Sequence, residues 1–204
     1  GVASIHDSLY VTASIFESMQ TTSIFVSIDN IGMLVADTDV IREGIANRLN
    51  VAKEQVTVVY THTHSGPATA GDEALIVAYK TILTQQAITT AVKASEAMQP
   101  VEIGWGVTQG KLGINRREKR DGQAVMGTDP LGVTDDRIGT LLVRRADDAC
   151  LVGAFVFCTA HPNVLKSDSV VLSGDYPGVA RTILEQTLGC PVVIVQGATG
   201  NINA

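Results

Sequence analysis

The sequence predicts an α/β fold, with a mixed sheet covered by helices in a three-layer α/β/α sandwich. Segments with strand character alternate with segments of helical periodicity, as in domains whose helices pack on a sheet. Two apolar runs, residues 56–60 and 192–195, suit central strands that are buried on both faces. Both runs lead into polar turns that contain glycine, and ligands bind at such strand ends in open α/β sheets.

The first half of the chain predicts a hairpin, a helix, a strand and a second, longer helix. β-Branched and aromatic residues mark the strands, and apolar residues at helical spacing mark the helices. Asp37 or Thr38 is expected to cap the first helix, Asn50 stands near its end, and Pro100 stops the second. These predicted elements cover residues 9–16, 24–28, 38–49, 55–61 and 72–99.

The second half predicts four more strands and a third helix. Residues 110–136 carry turn signals but little apolar periodicity, which indicates a long loop or an excursion hairpin. Loops of this length in compact domains are more often functional than idle. The strands are expected at residues 101–107, 138–144, 151–159 and from 191 onward, and the helix at residues 176–188.

Composition bounds the possible functions. The chain has 204 residues, 45% of them hydrophobic, which is enough for one domain over residues 1–204. It carries 15 basic and 21 acidic residues, with no basic stripe, so we expect no nucleic-acid partner. The uncharged stretch at residues 149–165 is too short and too broken for a membrane span, so we expect no transmembrane segment.

Cysteine usage and the chain termini say less. Three cysteines without a CxxC pair are expected to be reduced and buried. The chain opens with Gly1 and shows no export signal, which leaves a cytoplasmic and a secreted location both open. It ends just after a glycine-bounded turn, and we therefore expect the sequence to be a truncated one.

Two of the four histidines stand close together directly after a hydrophobic strand, in Thr61-His62-Thr63-His64-Ser65-Gly66-Pro67. If the strand continues, its two-residue repeat points His62 and His64 to the same side, about 7 Å apart. Two such imidazoles can share a metal ion, or one can bind the ion while the other moves protons. The alternative is a pair of histidines that are hydrogen-bonded in a polar loop.

A third histidine occurs in the same setting, because an apolar strand delivers His161 to its end and Pro162 enforces a turn. The spacing alone predicts three histidines on one zinc ion, with an open position for water. Cys158 is expected to pack in the core instead of serving as a ligand. His6, near the terminus, is interpreted as structural.

Further polar residues could serve such a site. Arg116 or Arg117 could fix a substrate oxygen, although surface arginine is the commoner outcome for such a pair. Asp175 either caps the next helix or supports the metal shell through a histidine N–H. The turn at residues 197–200 resembles an anion-binding nest but lacks the lysine of a P-loop, so phosphate chemistry there ranks last.

Five motifs occur in an order that resembles the neutral/alkaline non-lysosomal ceramidases and their bacterial relatives. The opening residues 5–10 and 29–32 also resemble the early part of that amidohydrolase domain, so the resemblance covers nearly the whole chain. The motifs are THTHSGP at 61–67, GINRR at 113–117, AHPNVL at 160–165, SGDYPG at 173–178 and QGATGNIN at 196–203.

The resemblance implies a zinc-dependent hydrolase of an amide, such as the N-acyl link of ceramide, in which a metal-activated water attacks the carbonyl. His62 and His161 would be zinc ligands, and His64 would be a proton shuttle or orienting group. Arg116 would face the substrate, and Asn201 would contact it. The family completes the coordination with a glutamate and a tyrosine further along the chain than Ala204, which replaces the three-histidine hypothesis.

The last turn departs from the family. At this turn the ceramidases have a sequence similar to Gly-Asp-Val-Ser-Pro. This chain instead has Gly200-Asn201-Ile202-Asn203-Ala204, which contains no side-chain hydroxyl. Direct attack by metal-activated water therefore fits better than a covalent serine route, and a smaller amide or ester becomes a plausible substrate beside a lipid amide. The roles of Asp175 and Asn203 and the oligomeric state stay open. The alternative function is a truncated or degenerate metal-binding or structural module without activity.

Overall fold

The computed structural model describes residues 3–165 and 169–204. In these residues the strands form four sheets, and three α-helices accompany them. The helices are α1 (Val35–Leu49), α2 (Ala74–Glu96) and α3 (Asp175–Leu188). The strands are β1 (Ser4–Ile5), β2 (Val11–Glu17), β3 (Thr22–Ile28), β4 (Val56–Tyr60), β5 (Val101–Gln109), β6 (Ile114–Arg120), β7 (Gln123–Asp129), β8 (Arg137–Arg145), β9 (Leu151–Cys158), β10 (Val171–Leu172), β11 (Val192–Gln196) and β12 (Ile202–Asn203).

The predicted α/β class is confirmed, because mixed sheets and helices make up the described residues. The chain divides into two compact units. The first unit comprises Gly1–Gln99 and Val170–Gly174, and the second comprises Pro100–Ser169 and Asp175–Ala204. That residues 1–204 act as one domain stays a prediction.

The first unit is built on the sheet β2-β3-β4. The predicted opening hairpin is confirmed, with β2 and β3 antiparallel from Val11↔Ile28 to Glu17↔Thr22. β4 joins β3 in parallel. The inward side chains of β3 are fully buried and pack with apolar residues of α1 and α2, among them Ile41, Ile45, Leu83 and Ala87. This core supports the loop that follows β4.

The apolar run at β4 was expected to be buried on both faces, and this expectation is wrong. β4 lies at the edge of its sheet, and Val56 is its single buried residue. β3 is the central strand, because it pairs with β2 in the antiparallel hairpin on one side and with β4 in parallel on the other. The apolar pattern of a short strand does not reveal which of its edges is paired.

The two long helices of this unit match the predictions except at one end. α1 begins after Leu34, so Asp37 lies within its first turn and neither Asp37 nor Thr38 caps it. Asn50 ends the helix in the left-handed region, with φ 54°, a conformation that asparagine tolerates better than most residues. α2 buries Leu83, Ala87 and Ala91, which recur every four residues. No helix in the described ranges is both long and apolar enough to traverse a bilayer.

The second unit is built on the sheet β11-β9-β8-β5, in which β11 and β9 are parallel and the other pairs antiparallel. α3 packs on one face of this sheet through Ala180, Leu184 and Leu188. The expected burial of residues 192–195 is confirmed, but their expected central position is wrong, because β11 is the last strand in the order of this sheet. The parallel pair β9 and β11 ends at the same level, since Gln196 is opposite Cys158.

Residues 110–136 form the hairpin β6-β7, so the hairpin alternative is confirmed and the long loop is wrong. Asp121 and Gly122 make its turn with φ of 49° and 77°, as in the mirror-image turns that suit two-residue hairpins. β12 adds to β6, with Ile202 opposite Asn115. Polar residues on both faces of β6 remove the alternation by which a half-buried strand is recognised.

Gly113 tests the pairing of β6 with β12. A Cβ at this position would lie 2.1 Å from the carbonyl oxygen of Asn203 and 2.8 Å from Cγ2 of Ile202. Because the closest atom belongs to the backbone, we expect Gly113→Ala to lower the free energy of unfolding by about 1–3 kcal/mol in urea titrations. Gly104→Ala in β5 is the control, since no atom lies within 4 Å of its Cβ. Equal losses in both variants would contradict the close packing.

Candidate functional site

The first unit brings His62 and His64 together. Their rings meet edge to face, with centroids 5.1 Å apart and planes at 90°. The strand geometry expected for them is wrong, because β4 ends at Tyr60 and His62 has φ 65°. The left-handed backbone at His62 turns the chain out of the strand, so a tight loop makes the pair instead of strand alternation.

Hydrogen bonds orient the ring of His62. Its Nδ1 lies 2.6 Å from the carbonyl oxygen of Ile31, and its backbone N–H donates to the carbonyl of Asn30 at 2.9 Å. A carbonyl oxygen only accepts, so this bond requires the proton on Nδ1. Nε2 then carries the lone pair that a metal ion would need.

A cavity of about 460 Å³ lies beside His64 within the first unit. Its walls are mostly apolar, with Ile31, Met33, Leu34 and Pro67 among them. The volume falls in the range of small-molecule sites. The sequence offered no sign of this apolar space, because its walls come from two loops that are far apart in the chain.

In the second unit, His161 follows the end of β9 and is 6% exposed. It pairs with Asn203 as an isolated parallel bridge, and its N–H donates to the carbonyl of Ile202 at 2.8 Å. Its Nδ1 lies 3.3 Å from the carbonyl oxygen of Thr199. The hydroxyl of the same threonine lies 3.4 Å from Nδ1. The carbonyl only accepts from this nitrogen, whereas the hydroxyl can also donate to it, so the two contacts orient the ring without selecting its tautomer.

Tyr176, at the start of α3, supports the segment that leads to His161. Its hydroxyl donates to the carbonyl of Ala160 at 2.8 Å and accepts from Nε2 of Gln196 at 2.8 Å. Burial raises the pKa of Tyr176 far above its ordinary value, so the hydroxyl keeps its proton. It therefore ties together the ends of β9 and β11. The sequence predicts Tyr176 only as the start of a helix, because no local pattern signals a hydroxyl contact with residues this far away.

Arg116 is half-buried and held at both backbone and side chain. Its N–H donates to the carbonyl of Asn201 at 2.8 Å, Nε to the carbonyl of Gly200 at 3.1 Å and Nη1 to Oδ1 of Asn203 at 3.1 Å. Burial, and secondarily the charge of Arg117, lowers its pKa. An arginine stays protonated in proteins, so the site carries a positioned cation. Its contact with substrate stays a prediction.

The two asparagines of the last turn have different partners. Asn203 accepts from Arg116 and, at 3.1 Å, from Nδ2 of Asn163, so it joins the arginine to the segment after His161. Nδ2 of Asn201 donates to the carbonyl of Val133 at 3.0 Å. The structure thus assigns Asn203 a supporting contact, and substrate contact by Asn201 stays a prediction.

The carboxylate of Asp175 is 3% exposed and accepts the N–H of Tyr176 at 2.7 Å and of Leu165 at 2.8 Å. These bonds fit the capping alternative, since one of them satisfies an N–H at the start of α3. Cys158 is buried in the core as predicted, and burial raises the pKa of its thiol. His6 is exposed.

The glycine turn at residues 197–200 presents acceptors to the cationic side chains. The carbonyl of Gly200 accepts from Arg116 and Arg117, and the N–H of Gly197 donates to the carbonyl of Cys158 at 2.8 Å. An anion needs free N–H groups instead. This arrangement disfavours the phosphate site that the glycine pattern suggested.

Comparison with solved structures places the fold. A neutral ceramidase from Pseudomonas aeruginosa matches 98% of this chain with a TM-score of 0.74 and 18% identity. A ceramidase complexed with C2 matches 93% with a TM-score of 0.71 and 18% identity. The chain spans about a third of either protein, 34% and 32% of their lengths.

No protein-family model and no curated protein sequence matches the chain. At 18% identity, the structural likeness shows a shared fold. The fold that the five motifs implied is therefore confirmed: the described residues adopt the architecture of part of a bacterial neutral ceramidase.

Removing the Tyr176 hydroxyl tests its support of His161. Tyr176→Phe leaves the carbonyl of Ala160 and the amide of Gln196 without this partner, so we expect a loss of about 1–3 kcal/mol in unfolding free energy, measured in urea. The ring nitrogen resonances of His161 should also shift. Thr182→Val is the control, because its hydroxyl donates to the carbonyl of Gly178 within the same helix. Similar His161 shifts in both variants would refute the assignment.

Proposed function

We propose that the chain forms the metal-binding part of a zinc-dependent amidohydrolase that cleaves an N-acyl amide. The observation that carries the proposal is the histidine pair of the first unit, because the rings of His62 and His64 meet with centroids 5.1 Å apart. The family resemblance adds His161 to these donors. Support also comes from the five ordered motifs and from the fold shared with two ceramidase structures. The activity of those proteins is extended to this chain as a proposal.

The chemistry of the donors fits zinc. Zinc accepts imidazole nitrogen, and ligating histidines commonly donate the other ring N–H to a carbonyl or carboxylate. Both proposed ligands have that contact, His62 to Ile31 and His161 to Thr199. Neither bond is needed if the histidines are merely solvated loop residues.

Two ligand sets are compatible with this donor group. Spacing alone favours all three histidines, whereas the family resemblance assigns His62 and His161 to the metal and His64 to proton transfer. We favour the second set, because it agrees with the order of all five motifs. When bound, zinc would supply a Lewis acid for the scissile carbonyl and would lower the pKa of water there.

The chain's own residues would carry the remaining steps. His64 would accept the proton of the attacking water and return it to the leaving amine, since imidazole exchanges protons near neutral pH. Arg116 would hold the substrate carbonyl and the oxyanion that develops from it, because its guanidinium is already fixed by Gly200 and Asn203. No hydroxyl stands at residues 200–204, so no serine nucleophile is assigned.

The apolar cavity beside His64 indicates where an acyl group would lie. Its volume of about 460 Å³ suits a small or medium acyl group. The proposed substrate is therefore an N-acyl amide, with ceramide and shorter relatives as members of one series.

Zinc titration of histidine variants tests the ligand assignment. In the full-length protein, which would include the glutamate and tyrosine ligands that the resemblance implies, we expect His62→Ala and His161→Ala to lose the zinc site in calorimetry, because each removes a ligand. We expect His64→Ala to keep it. His6→Ala is the matched control, since His6 is exposed and outside the group. Loss of zinc by His64→Ala to the same extent would transfer His64 from proton transfer to the ligand set.

Hydrolysis of an acyl-length series of N-acyl amides, followed by fatty-acid release with added zinc, tests the activity. We expect His64→Ala to retain zinc while turnover falls about 10²–10⁴-fold, the usual effect of losing a general acid or base. Arg117→Ala is a control for Arg116→Ala, because Arg117 is exposed and shares the Gly200 acceptor. Zinc binding without hydrolysis of any substrate would favour a metal-binding module without activity.

A further inference from the structure

The turn at residues 61–65, which carries His62 and His64, is held by residues that the proposed mechanism does not use. We propose that Thr63, Ser173 and Asp7 form a hydrogen-bonded clamp that positions His62 and His64. The clamp lies entirely within the first unit. The inference rests on the proposed function, because His62 and His64 are taken to serve a metal site.

Thr63 is the inner part of the clamp. It lies between the two histidines and is fully buried, with 0% exposure. Its hydroxyl donates to the carbonyl of Ser173 at 2.7 Å and accepts the N–H of Ser65 at 3.2 Å. Both capacities of the hydroxyl are thus used on the backbone. With Thr63 anchored inward, the positions on either side of it are fixed.

Ser173 forms hydrogen bonds with two residues of the turn. Besides accepting from Thr63, it donates its N–H to the carbonyl of Ser65 at 3.0 Å. Residues 63 and 65 are therefore tied to one residue, and His64 lies between these two attachments. Ser173 is 1% exposed, so water does not compete for the bonds.

Asp7 anchors Ser173 in turn. Its carboxylate accepts the Ser173 hydroxyl and, at 2.7 Å, the N–H of Gly174. Hydrogen bonds to a charged acceptor are stronger than neutral ones. The neighbouring strands β1 and β10 pair in parallel, with Ser4 opposite Val171, which brings Asp7 to this position. The start of the chain therefore fastens a segment more than 160 residues later, since the Asp7–Ser173 bond spans 166 residues.

The far side of the turn is held separately. The N–H of His62 donates to the carbonyl of Asn30, and Nδ2 of Asn30 donates to the carbonyl of Pro67 at 3.0 Å. Together with the clamp, these bonds fix the backbone on both sides of His64. The backbone that carries both imidazoles is therefore fixed, and in this arrangement the ring centroids lie 5.1 Å apart. Binding a metal to such a pair requires little further ordering.

A positioning role differs measurably from a merely structural one. Thr63→Val keeps the shape of the side chain but deletes both hydroxyl bonds, so we expect the zinc dissociation constant to rise about 10–100-fold. Thr63→Ser restores the hydroxyl and should return the affinity close to the wild-type value. Asp7→Asn, remote from the rings, should weaken zinc binding in the same direction and by less.

Ser95→Ala is the matched control, because its hydroxyl donates to the carbonyl of Val92 within α2 and has no contact with the turn. We expect no change in zinc affinity in this variant, although it too loses a hydroxyl hydrogen bond to a backbone carbonyl. Equal zinc affinity in wild type, Thr63→Val and Asp7→Asn would overturn the clamp. So would a Thr63→Ser variant that binds zinc as weakly as Thr63→Val.

A metal-free measurement separates the clamp from the proposed function. Nuclear Overhauser effects between the rings of His62 and His64 report their separation in the apo protein. We expect these effects in wild type and Thr63→Ser and their loss in Thr63→Val. If wild type binds no zinc but shows this pattern, the metal function fails and the clamp stands. If the ring contacts persist in Thr63→Val, the clamp fails whatever zinc does.

Discussion

Each proposed metal ligand depends on one hydrogen bond, from an imidazole Nδ1 to a main-chain carbonyl. His62 uses the carbonyl of Ile31, and His161 uses that of Thr199. The contact orients each ring, and at His62 it also selects the tautomer that has the proton on Nδ1. Neither acceptor is a neighbour in sequence, and each lies in a loop whose course is set by adjoining strands. The site chemistry is thus a consequence of backbone placement.

The two units provide that placement by different means. In the first, a tight left-handed turn at His62 and a buried threonine order a short loop after an edge strand. In the second, two parallel strands end at the same level, and the chain after each returns to contact the other: His161 follows β9, and Asn203 follows β11. Arg116 joins this second arrangement because its own strand pairs with β12. Local hydrogen bonds hold each group, with few charged pairs involved.

Much of the fold was predictable because its elements carry strong local signals. The opening hairpin, the helix over residues 74–96 and the strand that precedes His161 all follow from periodicity, and the structure confirms them. The hairpin at β6 and β7 was only an alternative, since its strands are polar on both faces. The central place of β3 was missed because strand order depends on pairing partners, which a single apolar run does not encode.

By itself, the sequence determined the residue types of the candidate site: imidazoles after two strands, a guanidinium in GINRR and small, polar turns around them. These residue types are read directly from the sequence and from the order of neighbouring residues within each motif. Only the tertiary structure decided which atoms these groups present, because Ile31, Thr199, Asn203 and Ser173 reach them from distant parts of the chain. A hydrogen bond depends on separation in space, and separation in space between remote residues is fixed only when the sheets pair and the cores pack.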